Sequence, residues 1–397
     1  KPESKTMLAL PRAMHKRRGI HFMKLTSRER IMRIFQNKEI DRPGFKLWGA
    51  TTSDYLLHPA YRPVRDLAIE KTDLFGGYYA PFHVYCGSKW HEQIEIYDKD
   101  TDQPTWKDHH VIFHTPKGDL HGVERISTVG EPSYTIEYWV KEPEDLDKLM
   151  SLEYEPFEFN LDGFFKAEEE LGDRGVVLCG LDHAAYALQR LTGSETLAYF
   201  TVDCREKVHE VISVFSARLR AHLDKILSAG VKGPFEWVGP ELFIPPLLSP
   251  QDFMDFVYAY DKPLCDEIHN AGGYVWVHCH GKVANFIEHF INMGVDILNP
   301  LEPPKNGDVI LSEIVEKFGN RIGLEGNIEI QEILQSTPER LKMLIEECVE
   351  AGRKSGRFIL CPSAGYMEYP FPDEKYIENL LLYINYGYEC VERCRKE

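Results

Sequence analysis

The chain has 397 residues, 43% of them hydrophobic and 27% charged, which fits a large folded domain and excludes a disordered polypeptide. Its formal net charge of −17 argues against nucleic acid, whose phosphates need a basic surface, and against adhesion to anionic membranes; small molecules or a protein remain as partners. No apolar run long enough to span a bilayer and no secretory signal is seen, so the chain is expected in the cytoplasm, with most of its nine cysteines reduced.

Residues 1–23 carry Lys5, Arg12, Lys16, Arg17 and Arg18 and read as a basic extension rather than a targeting segment. Thr26 and Glu29 then form a capping box that opens a first amphipathic helix over 28–35. From Phe45 onward, short apolar runs alternate with longer stretches of helical period, as βα units around a parallel sheet require. Strands are predicted at 45–48, 176–178, 234–237, 274–278, 297–299, 321–324 and 358–360, and helices at 197–228, 250–271, 283–293, 310–318, 338–355 and 374–393. Between about 87 and 140 the rhythm changes to period-two alternation, as in Gln93-Ile-Glu-Ile-Tyr97, His110-Val-Ile-Phe-His114 and Tyr134-Thr-Ile-Glu-Tyr138. The simplest architecture is one α/β domain over 24–397, a (β/α)₈ barrel with an inserted antiparallel β segment; a doubly wound sheet would give the same alternation.

In Tyr274-Val-Trp-Val-His278-Cys279-His280-Gly281 the strand period sends His278 and His280 to one side and Cys279 to the other. Two converging imidazoles, with Cys361 at the end of another apolar strand, are ligand types that suit Zn²⁺. On spacing alone this balances a structural role as satisfied polar residues and a small buried thiol. A barrel carries its chemistry at the C-terminal strand ends, and Glu236, Trp237, His278, His280, Glu302, Glu325, Asn327 and Cys361 all recur there, which favours the metal reading. Glu302 is a candidate fourth ligand; Glu236 and Glu241 are rival carboxylates, either of which could instead be a general base or orient a ligating imidazole; and Glu236 and Glu302 are the candidate catalytic residues. Lys46, Trp48, Asp182 and His183 lie near strand ends. The aromatic cluster Phe75, Tyr78, Tyr79, Phe82, Tyr85 and Trp90 reads as core, or as a lid or pocket wall for a flat organic ligand. Trp48, Tyr79, His183, Trp237 and Asn327 are the expected substrate-pocket residues. Dinucleotide, phosphate-loop and serine-elbow motifs are missing, so nucleotide chemistry and serine hydrolysis are unsupported.

The opening Leu25-Thr-Ser-Arg-Glu-Arg-Ile31 through Asp41-Arg-Pro43, the His278-Cys-His-Gly281 strand, Gly294-Val-Asp-Ile-Leu-Asn-Pro300 and Ile359-Leu-Cys-Pro-Ser363 together resemble the uroporphyrinogen decarboxylase superfamily. Within it the chain is similar to the zinc methyltransferase branch, which includes methylcobamide:coenzyme M methyltransferases. The resemblance implies a (β/α)₈ barrel with zinc held by His278, His280 and Cys361, and with Glu302 as a displaceable ligand. It also implies a corrinoid partner protein that exchanges a methyl group with a small thiol, ether or amine; a homodimer is compatible with it. The branch usually has Cys where His280 stands, and imidazole there makes the site less anionic and more Lewis-acidic. The alternatives are a decarboxylase, although Lys46-Leu-Trp-Gly-Ala-Thr-Thr-Ser-Asp54 lacks the arginines that would clamp a poly-acid, and a zinc hydrolase or lyase.

Overall fold

β-branched and aromatic residues crowd the short apolar runs, and such runs are stable as strands only when both faces are covered. The structure, a computed structural model, describes residues 24–50, 59–365 and 374–395, so the basic segment at 1–23 lies outside it. Strands β1 (Gly44–Phe45) and β2 (Leu74–Tyr79) are followed by β3 (Ile94–Asp100), β4 (Trp106–Phe113), β5 (Leu120–Ser127) and β6 (Tyr134–Glu137). Then come β7 (Gly175–Gly180), β8 (Phe235–Val238), β9 (Val275–His278), β10 (Ile297–Leu301), β11 (Gly323–Ile328) and β12 (Phe358–Pro362). Eight strands form one sheet in the order β1-β12-β11-β10-β9-β8-β7-β2, and each neighbouring pair is parallel. Its two edges meet at Asp73, whose N–H donates to Phe45 O (2.7 Å) and whose Oδ2 accepts from Phe45 N (2.9 Å). Strands therefore follow one another in chain order around a curled sheet, as the barrel reading expects.

Period-two alternation divides the core in two. Val275 and Val277 face outward into the large shell between sheet and helices. Trp276 faces inward, with Val176, Leu178, Ile297 and Ile359, and the capped first helix (Ser27–Phe35) plugs the barrel floor with Ile31, Ile34 and Phe35. At that floor, a buried ionic cluster anchors the edges. Arg30 pairs with Asp41 at 2.8 Å and with Asp73 at 2.6 Å, and Arg42 lies 3.2 Å from Asp73. Burial would raise both carboxyls, but Arg42 and Arg30 hold Asp73, and Arg30 holds Asp41, below the ordinary value.

The insertion is a four-stranded antiparallel sheet in the order β3-β4-β5-β6. It contains one strand, β5, beyond the three alternating runs visible in the sequence. Two other expectations are corrected. The glycine-broken Phe75–Tyr79 stretch is not only pocket wall: it is β2, paired with β7 over its whole length. The single helix expected over 197–228 is divided between Ala184–Asp203 and Arg205–Ser228, because the backbone leaves helical geometry at Cys204; the first segment is itself kinked at Gly193. Among the described residues, no helix is long and apolar enough to cross a membrane.

Replacing Asp73 by Ala leaves two guanidinium groups buried with one carboxylate fewer, and a loss of about 3–5 kcal/mol in unfolding free energy is expected from urea titration. The pH dependence has a definite sign. Asp41 and Asp73 are depressed in the fold, so their stabilisation is present above the ordinary 3.8 and is lost as pH falls below it; acid titration of wild type against the Asp73 variant reads this directly.

Candidate active site

His278 ends β9 on its inward face, and His280 lies two residues on, just beyond the strand. Their rings are 4.4 Å apart between centroids and nearly perpendicular. Each is held through Nδ1. His278 Nδ1 is 2.7 Å from Oδ1 of Asn299, its register partner on β10. An amide oxygen only accepts, so His278 carries its proton on Nδ1 and presents a bare Nε2. His280 Nδ1 is 2.9 Å from Glu302 Oε1, while Glu302 Oε2 accepts from the Gly281 N–H at 2.6 Å. Beneath the pair lies a fully buried carboxylate, Glu325, which accepts from Lys46 Nζ (2.7 Å), Trp276 Nε1 (2.9 Å) and Asn299 Nδ2 (2.8 Å). The Trp48 ring stands edge-on to His278, with centroids 5.3 Å apart.

The two imidazoles are electrostatically unlike. Burial, reinforced by the neighbouring His280 charge, pushes His278 down to about 4, so it is neutral at physiological pH. Burial also opposes charge on His280, but the Glu302 hydrogen bond and carboxylate raise it above its ordinary value; in return His280 holds Glu302 low against the pull of burial. Burial raises Glu241 and Glu329 on either side. Among the described residues, Trp48 Nε1, Glu241 Oε2 and Glu329 Oε1 are buried without a hydrogen-bond partner, which leaves unused polar capacity around the pair.

Of the expected ligands, His278, His280 and Glu302 come together. Cys361 points into the barrel from β12, fully buried, where burial first and the Glu325 carboxylate second push its thiol well above the ordinary range. Among the described residues, no three His, Cys, Asp or Glu side chains form a group able to hold a metal. The donor chemistry fits a metal at the two imidazoles: both Nδ1 atoms are engaged with oxygen acceptors, the arrangement that orients Nε2 for coordination. Glu302, with both oxygens occupied, has the geometry of an orienting carboxylate. The Cys361 thiol lies apart from the pair.

A cavity of about 770 Å³ opens between the ends of β2, β7 and β8 and the inserted sheet; neither His278 nor His280 lines it, and Val238, which does, is the register partner of His278. Tyr79, His183 and Trp237 line it, as does Tyr85 of the aromatic cluster. Tyr79 donates to Glu236 Oε1 at 2.9 Å, and its ring rests on Gly180, where a Cβ would stand only 2.0 Å from the ring. Burial raises the Glu236 carboxyl. His183 lies 3.0 Å from Asp261, to which Trp237 Nε1 donates at 3.2 Å; the Trp237 ring faces the outer core. Asn327 donates to Leu301 O at the strand ends. Unforeseen lining residues come from the insertion, among them His109, Glu124 and Thr135. Their only signal was the alternating pattern of that segment, which gives strands without saying which face meets the barrel.

Glu302→Gln removes the carboxylate that does most to raise His280, leaving burial opposed only by the Glu241 and Glu329 carboxylates. The His280 titration, followed by NMR in metal-free protein, is expected to move downwards; an unchanged midpoint contradicts the assigned role of Glu302.

No curated protein matches the chain by sequence. Among solved structures, a methyltransferase from Methanosarcina mazei is similar at a TM-score of 0.56 and 12% identity, over 92% of this chain and 99% of that one. An AP endonuclease of family 2 from Brucella melitensis matches at a TM-score of 0.31 and 10% identity, over 58% of this chain and 86% of that one. At 12% identity the methyltransferase likeness is one of fold, and it extends over almost the whole of both chains. Residues 125–374, more than half of the 397, match the family described as uroporphyrinogen decarboxylase (URO-D), and the chain belongs to that family.

Proposed function

We propose that the chain is a methyltransferase that moves a methyl group between a small thiol, ether or amine and the cobalt of a corrinoid carried by a separate protein, with zinc as its own metal. The observation that carries this reading is the pair His278 and His280, each committed through Nδ1 and each with Nε2 available. Family membership and the fold shared with a Methanosarcina mazei methyltransferase support it. His278 and His280 would hold the zinc. Cys361, the thiolate that the family resemblance implies, would have to leave Glu325 to join them. Bound zinc supplies Lewis acidity towards the substrate heteroatom.

The chain's own residues perform the remaining tasks. Glu302 fixes the His280 ring, and Asn299 fixes that of His278. The cavity, at about 770 Å³, is within the roughly 300–1,000 Å³ range of small-molecule sites and would take the body of the small substrate. Glu236, whose carboxyl burial raises and whose Oε1 accepts from Tyr79, would be the group that exchanges a proton with the substrate heteroatom.

Elemental analysis of purified protein and spectroscopic consumption of methylcobalamin with a panel of thiols test the reading, with methyl ethers and methylamines assayed in the demethylating direction. One zinc per chain is expected. His280→Ala should lose both zinc and transfer by more than the roughly 10–100-fold typical of losing an outer partner. Cys361→Ser separates a thiolate ligand from a barrel-core thiol by whether zinc is lost. Full zinc retention in both His278→Ala and His280→Ala would sink the imidazole assignment.

A further inference from the structure

We infer that Glu325, deep in the barrel and remote from solvent, is the positioning residue that decides which nitrogen of His278 carries the proton. The inference concerns the tautomer itself, and only its consequence for metal affinity rests on the function proposed above.

The donors around this one carboxylate are asymmetric. A carboxylate accepts and cannot donate. Glu325 Oε1 receives Lys46 Nζ at 2.7 Å and Asn299 Nδ2 at 2.8 Å, and Oε2 receives the indole N–H of Trp276 at 2.9 Å. The Asn299 amide therefore has only one orientation open to it: its NH₂ must face Glu325, and its oxygen is turned towards His278, 2.7 Å from Nδ1. That oxygen demands a proton on Nδ1. An asparagine alone would not impose this, since a flipped amide would present NH₂ to His278 and favour the opposite tautomer.

The carboxylate can be kept in this dry position because its counter-charge is built in beside it. Lys46 Nζ lies over the Trp48, Phe75 and Trp276 rings at 3.9, 4.3 and 4.8 Å from their centroids, so three aromatic faces share the ammonium with Glu325. Trp276 and Trp48 also flank the His278 ring, at 5.9 and 5.3 Å between centroids. Removing Glu325 alone would leave Lys46 buried and unpaired, so the informative variant removes both charges.

In Lys46→Met/Glu325→Gln, the glutamine has one oxygen and one NH₂. Trp276 still offers only a donor, so the oxygen is drawn to it and the NH₂ turns to Asn299. Asn299 then flips to accept, and its own NH₂ faces His278. The expected result is reversal of the tautomer, from Nδ1–H in wild type to Nε2–H in the double variant. It is read from imidazole ¹⁵N shifts of histidine-labelled, chelator-treated full-length chain, with the His278 signals assigned by their loss in His278→Asn. Asn299→Leu leaves no buried charge unpaired and should give a mixture of the two forms. A His278 that remains solely Nδ1–H in both folded variants overturns the assignment. Zinc titration of the same proteins gives the consequence: affinity should fall about 10–100-fold in the double variant. If wild type shows the expected tautomer but binds no zinc, the metal reading fails while the positioning role of Glu325 stands.

Discussion

The ring of strands is closed by very little: a backbone and a side-chain hydrogen bond between Asp73 and Phe45 join the two edges of the eight-stranded sheet. Everything at the mouth depends on that closure, because the inward direction of each side chain is defined only once the sheet has an inside. Asp73 is bound on its other side by Arg30 and Arg42, so the seam is also the place where the first helix is nailed to the floor. A charged seam is a demanding solution, since each ion must be fully paired to be tolerated away from water. It is also a directional one, and fixes the edge register more firmly than apolar contact would.

Above the floor the interior changes chemistry in steps. Ile297, Ile359 and Val176 form an apolar layer, Lys46, Glu325 and Trp276 an ionic and aromatic one, and His278 with Asn299 the first layer with unused bonding capacity. Each step hands its unsatisfied valence upward. The orientation of the His278 ring is thus the end of a chain of constraints that begins at the barrel floor.

Much of this was legible in the sequence, for identifiable reasons. Strand period placed His278 and His280 on one face, and the capping box located the first helix to within a residue. Seven of the barrel strands carry apolar runs that stand out against amphipathic neighbours. The eighth, β2, escaped because Gly76 and Gly77 interrupt its pattern and its aromatic residues suit a pocket wall as well as a strand. Pairwise geometry was not legible. Glu302 was expected as a ligand, but nothing in its spacing reveals that the Gly281 N–H and His280 would occupy both its oxygens. Cys361 was placed correctly at the end of β12; which neighbour its thiol meets depends on Glu325, one strand away and set by inter-strand register.

The inserted sheet has a bearing on how such a protein can diversify. Strands β3 and β4 precede residue 125, where the family match begins, yet β4 contributes His109, Val111 and Phe113 to the cavity wall. The histidine pair and its supporting carboxylates all lie within the matched segment. The wall is only partly separable from that segment, because Thr135, His183 and Trp237 line the same cavity from within it. Substitutions at the β4 positions can therefore reshape one side of the cavity without touching the hydrogen bonds that orient the histidine pair.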